Sequence, residues 1–126
     1  HKTRDPRVPN QVKSNRVVGD VAGRTCILID DMIDTGGTIA GAVQVLRDAG
    51  ATDVVIAATH GVLSDPAPQR LAESGAREVV LTNTLPIPEE KRFATLTVLS
   101  IAPLLAQAIR AVFEDDSVTS LFNGSA

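Results

Sequence analysis

The stretch at residues 28–43, LIDDMIDTGGTIAGAV, decides how the chain is read. It begins in an apolar run, passes three aspartates and two adjacent glycines, and ends in a helical pattern. Upstream, RTCILID (24–30) is short, apolar and biased to β-branched residues, and the turn GDVAG (19–23) bounds it, which predicts a buried strand. Downstream, Ile39, Ala42, Val43 and Leu46 recur with helical spacing, and Gly50 supplies a C-terminal stop. A strand feeding a helix through a glycine turn is the repeating unit of an α/β fold.

The same alternation continues outward. DVVIAAT (53–59) reads as a second buried strand. DPAPQRLAESG (65–75) suits a helix, with Asp65 near its start, proline in the first turn and Gly75 as its stop. REVVLTN (77–83) and TLTVLS (95–100) read as third and fourth strands, with a loop at 83–93 placed to cap one end of the sheet. Ile101, Leu104, Leu105, Ala108, Ile109 and Val112 mark one face of a last helix. The predicted fold is α/β, with a mostly parallel sheet covered by helices on both faces. Residues 1–16, HKTRDPRVPNQVKSNR, are charged and carry Pro6 and Pro9, so they read as a mobile loop or arm preceding a domain at 17–126. The last thirteen residues, EDDSVTSLFNGSA, form a polar tail.

At 126 residues the chain has the size of one domain. Its 44% hydrophobic content is enough for a core, which must be aliphatic because there are three Phe and no Trp or Tyr. A net charge of −3 argues against non-specific nucleic-acid binding. The single cysteine, Cys26, has no partner for an internal disulfide and reads as a small buried strand residue. A reducing, cytoplasmic setting is expected. No signal peptide is visible, and no apolar stretch has the length of a membrane span. The polar start without Met reads as the middle of a longer protein.

The chemistry concentrates at the acidic glycine turn. Ligands of open α/β sheets bind beyond the carboxyl ends of the strands, and Asp30 and Asp31 close the first predicted strand. In the turn from Asp34 to Thr38, Gly36 and Gly37 allow close approach of a ligand to the backbone. Several N–H groups would converge there as an anion nest at a helix N-terminus, and the hydroxyls of Thr35 and Thr38 can add hydrogen bonds. The two adjacent carboxylates would repel a phosphate, so they belong to one side of it. There they could accept from sugar hydroxyls or hold a hard cation such as Mg²⁺. A blander arrangement has Asp34 capping the helix, the glycines making a tight turn and the acid pair simply solvated. A Walker loop needs a lysine after its glycine, which is absent. The DTG of aspartic proteases belongs to β-rich chains, whereas this one enters a helix. An acidic receiver-type cluster would need neither glycines nor threonines.

These residues resemble a known family. DDMIDTGGT (30–38) looks like the phosphoribosyl-pyrophosphate loop of type I phosphoribosyltransferase folds. GDVAGRTCILIDDMIDTGGT, THGVLS, the ending SVTSLF and the opening HKTR together resemble ribose-phosphate pyrophosphokinase, also called phosphoribosyl-pyrophosphate synthetase, over essentially the whole chain and at the level of its C-terminal domain. The resemblance implies transfer of the β,γ-diphosphoryl group of ATP to the C1 hydroxyl of ribose 5-phosphate, giving phosphoribosyl pyrophosphate and AMP, with Mg²⁺ required. It implies that Asp34, Thr35, Gly36, Gly37 and Thr38 hold the 5-phosphate. Asp30 and Asp31 would hold the ribose hydroxyls and the metal. Lys2 and Arg4 would be the catalytic basic pair of a flexible loop closing over the phosphates, expected to be mobile without ATP. The alternative for those two is a solvated basic arm.

His60, after the second predicted strand, reads as a structural loop histidine or a rim residue of the site. The tail hydroxyls Ser117, Thr119 and Ser120 resemble the family's regulatory phosphate or ADP site between subunits of a ring-like hexamer; the plain alternative is a surface tail. The resemblance also implies a preceding homologous N-terminal domain, with most adenine contacts and another histidine, that these residues do not include. The chain alone is therefore expected to lack normal turnover. Lys2-Thr3-Arg4 stands where many relatives carry a more basic run. Two rivals are a phosphoribosyltransferase, which would carry a hood and a base-recognition segment not seen here, and a non-catalytic regulatory homologue, whose acidic pair or basic arm would be degraded.

Overall fold

A computed structural model describes residues 2–4, 12–14 and 19–114. Its centre is a four-stranded sheet in the order β3-β4-β5-β6, all neighbours parallel. The strands are β3 (Thr25–Ile33), β4 (Asp53–Gly61), β5 (Glu78–Thr82) and β6 (Leu96–Leu99). Helix α1 (Gly37–Asp48) joins β3 to β4, and α2 (Ala67–Glu73) joins β4 to β5. A single 3-10 turn at Glu89–Lys91 interrupts the loop before β6, and α3 (Ala102–Phe113) follows it. The expected alternation and the α/β class are both present.

One face of the sheet carries the core. Val54, Ile56, Val79 and Leu81 are fully buried on alternate strand positions, together with Val43 of α1 and Leu71 of α2. Cys26, Leu28, Leu96 and Val98 pack against this cluster, and Cys26 is half-buried there. Every member is aliphatic or alanine, as the scarcity of aromatics requires. Gly50, at φ +96°, follows the C-cap Ala49 of α1, the left-handed position a terminating glycine favours.

The other face is open among the described residues. Ile27 and Ile29 of β3 are 63% and 81% exposed, and Leu99 at the opposite edge is 52% exposed. The predicted apolar face of α3 is also unpacked: Leu104, Leu105, Ile109 and Val112 are exposed, and Ala111 is the buried residue of that helix. Helical cover on both faces is thus not what these residues form, although the strands are apolar on both sides. Periodicity shows that a face is apolar, not what covers it.

Three boundaries differ from expectation. Strand β3 continues three residues past Asp30, through the acidic pair to Ile33. Aspartate usually disfavours strands, but here the Asp30 carboxylate accepts the Asp31 N–H at 2.8 Å and the Asp31 carboxylate accepts the Met32 N–H at 2.8 Å. Strand β4 likewise runs on through His60 to Gly61, so His60 lies in a strand end and not after it. Within the predicted arm, β1 (Lys2–Arg4) and β2 (Val12–Ser14) form an antiparallel pair, and β2 runs beside α1. Ser117, Thr119 and Ser120 lie outside the described residues.

Gly61 ends β4 against the core. A Cβ there would stand 2.7 Å from Leu81 Cδ1 and 3.4 Å from Ile87 Cδ1, both on buried side chains. Gly61→Ala is expected to lower stability by about 1–3 kcal/mol through overpacking. The check is chemical denaturation: the midpoint should fall at unchanged slope. An unshifted midpoint would show that Leu81 repacks without cost.

Candidate functional site

The site forms where β3 hands over to α1 at the carboxyl rim of the sheet. An open cleft is lined by Asp30, Met32, Ile33, Asp34, Thr35, Gly36, Thr38 and Ile39. Its floor is apolar because Ile33 and Ile39 are core residues reaching the rim. Asp30 and the turn residues Asp34, Thr35, Gly36 and Thr38 share its lining.

The glycine turn leaves the start of α1 uncapped by side chains. Gly36 is the N-cap, in the left-handed conformation at φ 78° and ψ −2°, and among the described residues no side chain caps the helix. The alternative in which Asp34 caps the helix is therefore not what the chain forms. Gly36 accepts from the Ala40 N–H at 3.0 Å, closing the first helical turn. Among the described residues no acceptor takes the N–H groups of Gly36, Gly37 or Thr38. These orphan donors, at the positive end of a twelve-residue helix, make a ready seat for an anion.

The acidic pair is divided by the pleat. Asp30 and Met32 pair in register with Ala58 and His60, while Asp31 is skipped by the ladder. Successive strand residues point to opposite faces, so Asp30 lines the cleft with Met32 and Asp31 does not. Among the predicted binding residues, Asp30, Asp34, Thr35, Gly36 and Thr38 line the cleft together, while Gly37 and Asp31 are not among its lining residues. No group of three or more His, Cys, Asp or Glu stands together as a metal cage among the described residues. Mg²⁺ is commonly held by one or two carboxylates, with water and substrate oxygens completing the shell. The donor set around Asp30 fits that kind of cation and not an all-protein cage.

His60 is drawn to another task. Its Nδ1 lies 2.7 Å from Thr84 Oγ1, and Thr84 Oγ1 in turn reaches the Thr59 carbonyl at 3.3 Å. Thr82 Oγ1 donates to the same carbonyl at 2.6 Å. His60 therefore ties the end of β4 to the loop after β5, and it is not among the residues lining the cleft. The sequence also gave no sign of Arg70. This α2 residue donates from Nη1 to the Thr35 carbonyl at 3.2 Å, across 35 positions of chain. Met32 as a wall of the cleft was also missed; reading β3 to its true end would have placed it on the Asp30 face.

An α/β domain with an anion-seating glycine turn beside a carboxylate at the carboxyl rim of a parallel sheet is the class that fold and cleft define. Residues 4–123 match the family model of the phosphoribosyl synthetase-associated domain, and the chain belongs to that family. It is 80% identical over its full length to a ribose-phosphate pyrophosphokinase of Mycobacterium tuberculosis, covering 39% of that protein. Its identity to the corresponding protein of Bifidobacterium longum is 71%, with 98% of this chain and 36% of that protein covered. A crystal structure of phosphoribosylpyrophosphate synthetase from Mycobacterium smegmatis superposes with a TM-score of 0.77 at 81% identity, over 81% of this chain and 34% of that one. The chain thus spans about two fifths of the length of the curated relatives it matches. The resemblance had placed it as a C-terminal domain. The matching model describes a synthetase-associated domain instead, and the assignment is corrected to that.

Proposed function

We propose that this chain is the part of a ribose-phosphate diphosphokinase that seats ribose 5-phosphate, within an enzyme that makes phosphoribosyl pyrophosphate and AMP from ribose 5-phosphate and ATP. The carrying observation is the pairing of two opposite features at one cleft: the orphan N–H groups at the start of α1, and Asp30, which lines the same cleft. An anion and a polyol on one small molecule satisfy both. The names of the relatives support the same reading.

In this reading the 5-phosphate sits at Gly36–Thr38, held by backbone N–H groups and the hydroxyls of Thr35 and Thr38. Asp34 borders the phosphate end and Asp30 accepts from ribose hydroxyls. Mg²⁺, when bound, would neutralise phosphate charge and orient oxygens, and Asp30 would be the residue of this chain that holds it. The oxygen of the C1 hydroxyl then attacks Pβ of ATP: an O–Pβ bond forms as the bond from Pβ to the α,β-bridging oxygen breaks, AMP leaves with that oxygen, and the hydroxyl proton passes to water. Residues 1–16 act as the basic arm, with Lys2 and Arg4 covering the phosphates and excluding water. The domain proper is 17–126. The remaining adenine contacts, the tail site at Ser117, Thr119 and Ser120, a hexameric assembly and a cytoplasmic setting belong to the same proposal for the whole enzyme.

Calorimetric titration of ribose 5-phosphate into the full-length enzyme with Mg²⁺ tests the reading. Asp30→Asn is expected to weaken binding by about ten- to a hundredfold, the loss of one or two charge-assisted hydrogen bonds. Asp31→Asn is expected to cost distinctly less, since Asp31 lies off the cleft. Equal, small effects at both positions would move the sugar elsewhere.

A further inference from the structure

We propose that Arg70 is a positioning residue for the phosphate turn, holding the Thr35 carbonyl so that the N–H groups that follow stay directed into the cleft. This rests on the function proposed above. Two separate features place the guanidinium there. Nη1 donates to the Thr35 carbonyl at 3.2 Å. The same nitrogen lies 3.2 Å from where a Cβ at position 37 would stand, so the absence of a side chain at Gly37 makes room for it.

The consequence follows from peptide geometry. In a planar trans peptide the C=O and the next N–H point in opposite directions. Anchoring the Thr35 carbonyl on the α2 side therefore turns the Gly36 N–H away from α2. Gly36, in the left-handed region, then reverses the next peptide at the entry to α1. A turn built on glycines has many conformations open to it, so an external tie narrows the set to the one that binds. The helix that carries the tie is fixed. Arg70 sits between Ala67 and Leu71, both fully buried, which lock α2 against the core. Arg70 is exposed, so water can replace it on the carbonyl. Its loss should loosen the turn without unfolding the domain.

Steady-state kinetics of the full-length enzyme test this. Arg70→Ala is expected to raise KM for ribose 5-phosphate about tenfold, equivalent to one charged hydrogen bond, with KM for ATP and the thermal midpoint unchanged. Arg70→Lys, which keeps the charge and one donor, should recover part of that loss. An unmoved KM for ribose 5-phosphate, or equal rises for both substrates, would overturn the proposal. Thr38→Val in the turn separates the two ideas. If Thr38→Val raises KM for ribose 5-phosphate and Arg70→Ala does not, only the role of Arg70 falls. If Thr38→Val has no effect either, the turn is not the sugar-phosphate seat and both fall.

Discussion

Replacing Lys2 and Arg4 together by alanine in the full-length enzyme is expected to lower kcat by about a thousandfold, while KM for ribose 5-phosphate changes little. Phosphoryl transfer depends on neutralising charge that spreads over the transferring group, and a cation supplied from a mobile segment contributes about 10³–10⁵ in related chemistry. Lys2–Arg4 is tied as β1 to β2, with Lys2 opposite Ser14 and Arg4 opposite Val12. Strand β2 in turn runs beside α1, the helix that follows the glycine turn. In the proposed mechanism this basic segment covers the phosphates at the reacting end and is not part of the sugar site. The effect should therefore fall on the chemical step and not on sugar binding. The check is a comparison of kcat and both KM values with a direct titration of ribose 5-phosphate. Normal kcat in the double variant would remove the arm from the mechanism.

Gly36→Val is expected to damage both stability and binding. A left-handed residue with a Cβ costs about 1–2 kcal/mol, and more when the side chain is β-branched. Gly36 has φ 78°, and a Cβ there would already touch Ala67 at 3.5 Å and Leu71 at 3.7 Å, both in the fully buried face of α2. The two methyl groups of valine would press further into that contact, adding about 1–3 kcal/mol of overpacking. The chain can escape only by moving the turn, which withdraws the N–H groups from the cleft. A loss of about 2–5 kcal/mol in unfolding free energy is expected from these two costs together. Any folded fraction should have an affinity for ribose 5-phosphate lowered by about a hundredfold, two good hydrogen bonds to a charged group. Denaturation and titration measure the two parts separately. A variant with the parent midpoint and affinity would mean that the left-handed N-cap is incidental.

The predicted site and the observed cleft agree where the relevant contacts are local. Asp34, Thr35, Gly36 and Thr38 are neighbours in sequence, and a glycine turn between a strand and a helix has few ways to arrange them. Asp30 and Asp31 show where local reading stops. Adjacent in sequence, they look like one unit, yet whether they act together depends on whether the strand has ended before them. Strand β3 runs on through both, because its ladder with β4 continues to Ile33 opposite Gly61, and the pleat sends them to opposite faces. His60 shows a similar limit. Its place at the rim was legible, but its hydrogen bond to Thr84, 24 positions away, was not.

Short-range chemistry settled the order of strands and helices, the parallel class, the aliphatic core and the glycine turn at the entry to α1, since periodicity and backbone freedom act within a few residues. Tertiary structure alone decided which aspartate faces the cleft, that Arg70 reaches Thr35, and that the face bearing Ile27 and Ile29 stays open among the described residues. Those outcomes depend on strand register and on the packing of α2 against α1, which arise between segments distant in sequence and leave no trace in the local pattern of either.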